Sequence, residues 1–255
     1  MRTVLTCLWA GHDLPDYSAG KYGPADVLNL WRGVRKHVTD GRLCVLADET
    51  FQQALQGPLF DELVGRLSQE EQVALPHTLL VKPMHGYGRK HGGWSHVLEA
   101  FNPALVKSLG GSRLLLVGLD TVFVRNSDWL FDEPFESEVG LPADPYNLNG
   151  PPCDAVVTYA AAGADIVWTE FMLANESVVW PYPYFGRASE MVLLQALAAR
   201  HGWVKLEGDY MDRLVSFKAV VRPHGLPDSA TIVYFHGSPK PRELPADHPL
   251  TKGML

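Results

Sequence analysis

The stretch Arg113 to Val124, RLLLVGLDTVFV, constrains the fold more than any other. Its first half, through Val117, is a short apolar run of the kind found in a strand covered on both faces, which belongs to parallel sheets flanked by helices. Gly118-Leu119-Asp120 ends that run, and Thr121 to Val124 reads as a further strand. An Asp at the carboxyl end of a central strand stands where open α/β sheets bind ligands, and an Asp in a turn can equally serve as a cap. Spacing alone leaves both readings open.

The flanking sequence repeats the strand and helix alternation. Val4 to Leu8 fits a buried strand, followed by the polar loop WAGHDLPDYSAGKYG; Pro24 then opens a helix whose Val27, Trp31, Val34 and Val38 recur at three and four residues. Leu43 to Leu46 is the next strand, ending at Ala47-Asp48, and residues 49 to 67 read as helical pieces split at Gly57-Pro58. Leu79 to Val81 is a strand, His85 to Gly93 a loop, and Trp94 to Phe101 and Pro103 to Leu109 helical. Strands are expected near Asp154 to Tyr159, Ile166 to Trp168, Val204 to Leu206, Leu214 to Phe217 and Thr231 to Phe235, with a helix over Ala188 to Arg200. Pro142 to Pro152 reads as turn-rich and too short for an interdomain linker. With no repeat and no low-complexity tract, the expectation is one α/β domain over residues 1 to 255, with a central mixed, mostly parallel sheet flanked by helices. The N-terminal half resembles a doubly wound nucleotide-binding unit, and the less regular strand order of the C-terminal half leads us to expect an acceptor side there.

Composition narrows the function classes. A net charge of −7 removes any whole-surface attraction for nucleic acid, leaving only a local patch at Lys82, Arg89 and Lys90 with His85, His91 and His96. Those histidines lack zinc spacing. The longest nearly apolar stretch, Ala155 to Trp168, carries Asp165 and is shorter than a membrane span. The N-terminal residues make a poor secretory signal, so a cytoplasmic location is expected. Cys7, Cys44 and Cys153 are isolated and read as reduced, packed thiols. Dinucleotide, P-loop and α/β-hydrolase motifs do not occur.

Residues 114 to 124, with Asn126-Ser127-Asp128-Trp129-Leu130-Phe131 behind them, resemble the "LDLDTVVV-gn-D-LF" stretch of GT-A-fold glycosyltransferases, the group that includes glycogenin-like and phage or bacterial nucleotide-sugar transferases. Three more blocks resemble that family in the same order. His91-Gly92-Gly93-Trp94 through Phe101-Asn102-Pro103 is similar to "GGWW-K-E-F-P", residues 212 to 218 to "R-v-S-y-K", and Ile232 through Pro241 to the terminal "v-F-H-G-P-K-P". Each block alone is weak; four in order span most of the chain.

The resemblance implies transfer of a sugar from a nucleoside diphosphate donor, most simply a UDP-sugar, to a hydroxyl acceptor such as a glycan or a hydroxylated base in phage-type DNA. The competing class is a non-catalytic sugar-nucleotide-binding or interaction protein derived from this family. The resemblance places nucleotide contacts at Trp9, Ala10, Tyr22, Asp48 and Asp120, and diphosphate contacts at Gly237 and Lys240. It implies a divalent cation, Mn or Mg, at Asp120 and His236. Asp120 and Glu190 are the candidate catalytic residues, Glu190 as a group that orients the sugar or acceptor.

Several positions depart from the family's pattern. Gly118 replaces the first Asp of D-x-D, the family's metal-ligand His falls at Tyr234, the Lys of "WW-K" falls at Val97, and the "D-Q" element reads Ser189-Glu190. His236 can replace the lost imidazole if the strand extends that far, because strand residues i and i+2 share a face. Three arrangements satisfy what remains: a weak metal site completed by the diphosphate, a metal-independent enzyme relying on Lys240, and a catalytically dead relative. The aromatic stretch Trp180 to Phe185 is either an acceptor platform or local packing, and the loop His85 to Gly93 either a cationic lid or a solvated turn.

Overall fold

The computed structural model describes residues 1–9, 22–92, 94–132, 137–235, 237–252 and 254–255. In chain order the elements are β1 (Arg2–Leu8), α1 (Pro24–His37), β2 (Gly41–Ala47), α2 (Glu49–Ala54), α3 (Pro58–Gly65), α4 (Gln69–Thr78), β3 (Leu79–Pro83), α5 (Pro103–Leu109), β4 (Arg113–Val117), β5 (Thr121–Phe123) and α6 (Trp129–Asp132). They continue with β6 (Val139–Asp144), β7 (Asn147–Pro152), β8 (Val156–Ala160), α7 (Ala161–Glu176), β9 (Pro183–Tyr184), β10 (Arg187–Ala188) and α8 (Glu190–His201). The last are β11 (Val204–Leu206), α9 (Asp209–Arg213), β12 (Leu214–Ser216), α10 (Arg222–His224) and β13 (Ile232–Tyr234).

An eight-stranded sheet runs β11-β6-β8-β4-β1-β2-β3, with β7 paired to β6. β4, β1, β2 and β3 are mutually parallel, and β8 runs antiparallel between β4 and β6. A second sheet, β12-β13-β5, is fed by the strand that follows Asp120. The period-two rule sorts the core. Val4 and Leu8 of β1, with Leu115 and Val117 of β4, join the cluster that includes Trp31 and Val34 of α1. Leu5, Leu114 and Leu116 turn to the other face, against Val167 and Phe171 of α7 and Leu193 and Leu197 of α8. The mixed, mostly parallel sheet covered by helices on both faces is the architecture the alternation implied.

Three local expectations need correction. Ile166 to Trp168 is not a strand but the middle of α7, whose Ala164, Val167, Phe171 and Ala174 are buried at helical spacing; a short apolar run has no period of its own to tell the two apart. The turn-rich Pro142 to Pro152 supplies the end of β6 and all of β7, where proline is tolerated because β7 lies at an edge. Within the expected loop after β3, Tyr87–Lys90 makes one 3-10 turn, while the helical segment expected over Trp94 to Phe101 is present as a 3-10 helix, Ser95–Phe101.

Candidate active site

The strands converge on one edge. β1 and β4 run parallel with Leu5 opposite Leu116, so their carboxyl ends, at Trp9 and Gly118, lie side by side. β8 is antiparallel to β4 with Val156 opposite Val117, which brings the residues just before β8 to the same edge. Beyond that edge opens a cleft of about 760 Å³ lined by Trp9, Tyr22, Asp120, Asp154, Glu190 and Lys240 among others. This is where ligands of open α/β sheets bind. A groove of about 800 Å³ runs along α1, β5 and the C-terminal segment, and its lining includes neither Asp120 nor Lys240.

At the centre of the cleft lies a buried ion pair. The Lys240 ammonium donates to Asp120 Oδ2, and the two side chains are only 6% and 14% exposed. The Tyr22 hydroxyl donates to the same oxygen at 2.8 Å. Lys240 Nζ also sits 5.3 Å from the centre of the Tyr22 ring, and the Arg242 guanidinium 5.9 Å from it, so one aromatic face is shared by two cations. Arg242 is held by Asp26 at 3.1 Å, and Asp26 in turn accepts from the Gly23 amide at the start of α1. The loop after β1, the end of β4 and the C-terminal segment are thereby tied at one point. Gly237, at φ 59°, lies on the cleft wall, and the Lys218 ammonium stands 3.4 Å from where its Cβ would be. Lys218 is a cation that the sequence reading passed over; its place within the "R-v-S-y-K" block was the available signal.

Glu190 opens α8 and lines the same cleft as Asp154, close enough for each carboxyl to shift the other. Burial pushes Asp154 up to about 6. Burial, then the charge of Asp154, pushes Glu190 well above the usual carboxylate range. Asp154 was missed because, read in sequence, it is one Asp ahead of a strand; only the antiparallel register of β8 carries it to the ligand edge. Cys7 and Cys153 line the same cleft as free thiols, and burial holds Cys153 up at about 12 and Cys7 well above its ordinary value.

Other expected contacts fall elsewhere. Asp48 caps α2, accepting from the Phe51 amide at 3.0 Å, and does not line the cleft. Trp9 does line it, its ring 5.9 Å from His96. Ala10, Lys21, Gly93, His236 and the Arg89 side chain lie outside the described residues. Lys90 donates to the carbonyls of Asn175, Glu176 and Ser177, closing the end of α7. Glu99, buried at 3% exposure, gathers the amides of His85 and Tyr87 and so orders the start of that segment. Of the aromatic stretch, Trp180 is packed and donates to the Tyr182 carbonyl, while Phe185 is exposed at φ 47° and Tyr184 borders the cleft.

No protein-family model and no curated protein matches the sequence. Solved structures do match in shape. The glycosyltransferase GlyE of Streptococcus pneumoniae TIGR4 superposes with a TM-score of 0.56 at 12% identity, over 94% of this chain and 55% of its own. The galactosyltransferase LgtC, solved with donor and acceptor sugar analogues, gives 0.57 at 10% identity, over 94% of this chain and 88% of its own. Mouse xyloside xylosyltransferase 1 gives 0.50 at 12% identity, over 93% and 97%. The chain has the GT-A glycosyltransferase fold. It spans about half the length of GlyE and of the bifunctional glycosyltransferase WbbM.

The divalent cation expected of a GT-A fold finds little to hold it among the described residues. No three His, Cys, Asp or Glu side chains stand together there. Asp120 Oδ2 is already engaged by an ammonium and a hydroxyl, and a Cβ on Gly118 would come within 2.6 Å of Asp120 Oδ1. A hard cation needs six or more oxygen ligands in an open arrangement, and these residues do not supply it.

Proposed function

We propose that the chain transfers a sugar from a nucleoside diphosphate donor, UDP-linked by preference, to a hydroxyl acceptor. The observation that carries this reading is the buried Asp120–Lys240–Tyr22 cluster at the carboxyl end of β4 inside a GT-A cleft. Breaking the bond from sugar to phosphate develops negative charge on the leaving diphosphate, which a positioned cation stabilises. An ammonium has three donors, so Lys240 can keep Asp120 and still reach a phosphate oxygen, with the Gly237 amide and Lys218 beside it. Asp120 then faces the ribose. Among the described residues no helix is long and apolar enough to cross a membrane, which accords with a cytoplasmic enzyme.

Of the acceptors the resemblance allows, a glycan is favoured over a base in DNA. Lys90, central to the basic patch that would contact phosphates, is occupied at the end of α7. Incubation with a panel of nucleotide sugars, with Mn²⁺ or with EDTA, is expected to release nucleoside diphosphate. Nucleotide binding without any release would instead support the non-catalytic reading, which the glycine at position 118 favours.

The Mn or Mg ion implied by the resemblance belongs to this proposal as a partner of the bound donor rather than a resident of the protein. Calorimetric titration of Mn²⁺ is expected to show poor affinity alone and a clear gain with UDP present, since substrate phosphate completes the shell of hard cations. Tight binding without nucleotide would show that ligands beyond Asp120 are in place.

A further inference from the structure

The hairpin formed by β9 and β10 carries a tip that its own fold does not require. The register places Arg187 opposite Tyr184 and Ala188 opposite Pro183, which leaves Phe185 and Gly186 as a two-residue loop. Both have positive φ, 47° and 76°. Tight hairpin turns with that pattern favour Asn, Asp or Gly at the first position, because positive φ strains a residue with a Cβ and a bulky one most of all. Phe185 stands there nevertheless, with its side chain outside the core and the residue 89% exposed. Neither turn geometry nor core packing accounts for a phenylalanine at this position, and strain kept without a structural return points to a use.

The hairpin is held at the mouth of the cleft. The Trp180 indole donates to the Tyr182 carbonyl at 2.8 Å, the Ser189 amide donates to the same carbonyl at 3.3 Å, and the Trp94 amide donates to the Ala188 carbonyl at 3.2 Å. The Tyr182 hydroxyl donates to Glu170 of α7, which also pairs with Arg200 of α8 at 2.9 Å. Tyr184 and Arg187 line the cleft and Phe185 does not, which sets the Phe185 ring just beyond the rim. That ring packs on Tyr184, with centres 4.5 Å apart and planes at 64°, so the two extend the cleft wall outward as one aromatic surface. From Ser177 to Gly186 no side chain is charged.

We propose that Tyr184 and Phe185 form a subsite for an apolar aglycone, so that the acceptor is a sugar hydroxyl on a glycoside whose far end is a hydrocarbon or aryl group. This rests on the glycosyltransferase reading. With the attacking hydroxyl at the inner end of the cleft, near Asp120 and Lys240, the remainder of the acceptor leaves past the hairpin. A bare sugar would present its hydroxyls to a tip that, beyond the Tyr184 hydroxyl, has no polar side chain to bond them. A hydrocarbon or aryl group instead removes its own apolar surface and that of Phe185 from water together. Phe185 lies outside the cleft lining, so it selects the acceptor and takes no part in the chemistry.

The test loads the full chain with UDP and titrates methyl and octyl members of matched glycoside pairs by calorimetry, β-glucosides and β-galactosides among them, below the concentration at which the octyl compounds form micelles. The same pairs are then followed by diphosphate release with the donor found in the nucleotide-sugar panel. In at least one pair the octyl member is expected to bind about tenfold or more tightly and to lower KM more than it changes kcat. Phe185→Asn suits the turn, so it is expected to raise the unfolding midpoint while it brings octyl affinity down to that of the methyl member and UDP affinity holds. Phe185→Tyr, which keeps the ring, should retain the octyl preference. Absence of that preference in every pair, or a preference that Phe185→Asn leaves intact, overturns the subsite alone. Wild-type binding to phosphatidylcholine vesicles that Phe185→Asn abolishes, without any octyl preference, overturns it too and assigns the tip to a membrane surface. A wild-type protein that neither binds UDP nor releases diphosphate overturns the glycosyltransferase reading, and this one with it.

Discussion

Asp120→Ala is expected to abolish sugar transfer and to lower the unfolding free energy by about 3 to 5 kcal/mol, because it takes the carboxylate partner from a largely buried ammonium. The Lys240 side chain is only 6% exposed, and its remaining neighbour, the Tyr22 ring, offers a weaker electrostatic partner than a carboxylate. Lys240→Ala leaves Asp120 with the Tyr22 hydroxyl and removes one charge-assisted contact to the diphosphate, a loss of about 1.5 to 3 kcal/mol in donor binding. The double variant separates the two effects. With both charges gone, stability should return toward wild type, since a buried ion pair adds little over neutral groups, while transfer stays lost. Urea midpoints and diphosphate release measure the two quantities independently. Wild-type turnover in Asp120→Ala would remove Asp120 from the chemistry and the proposed function with it.

The same ion pair shows what could and could not be read in advance. Arg113–Val117 is a strand with the bounds its apolar run implied, and β1, β2 and β3 each enclose the apolar run read for them, which is the part of each strand that packs against helices. β7 was hidden by prolines and asparagines that an edge strand tolerates and a periodicity argument does not, and β6 by the Gly140 and Pro142 that interrupt its apolar run. Asp120, Glu190, Tyr22 and Lys240 were singled out and do meet in one cleft, yet the bond from Lys240 to Asp120 joins residues 120 positions apart. Asp154 illustrates the remaining gap. Nothing local distinguishes it from a loop carboxylate, and its place in the cleft depends on β8 reversing direction beside β4, a topological choice that no single segment encodes.

Trp31→Ala is expected to cost about 3 to 5 kcal/mol, the second large effect, and it acts on the scaffold rather than the site. Trp31 has no exposed surface and lies in the buried cluster that also contains Val4, Leu43 and Leu75, so it fills the space between α1 and the parallel strands. Its indole donates to the Thr78 hydroxyl at 3.0 Å at the end of α4, and that hydroxyl donates in turn to the Ala74 carbonyl at 2.8 Å. Truncation removes the ring and leaves a cavity that α1 has little room to close, because a Cβ on Gly33 would already stand 3.4 Å from the Phe123 side chain on β5. Trp31→Phe keeps most of the apolar volume but loses the donor, so its cost should be smaller and nearer that of one buried hydrogen bond, about 1 to 3 kcal/mol. α1 starts at Pro24, next to Gly23 and the Tyr22 that touches Asp120, so a loosened helix should also reach the site. Thermal unfolding of Trp31→Ala with and without UDP would show this: a lowered midpoint that UDP restores by less than in the wild type is expected. A full-sized UDP shift would place Tyr22 under the control of the C-terminal segment, through Lys240 and Arg242, instead of α1.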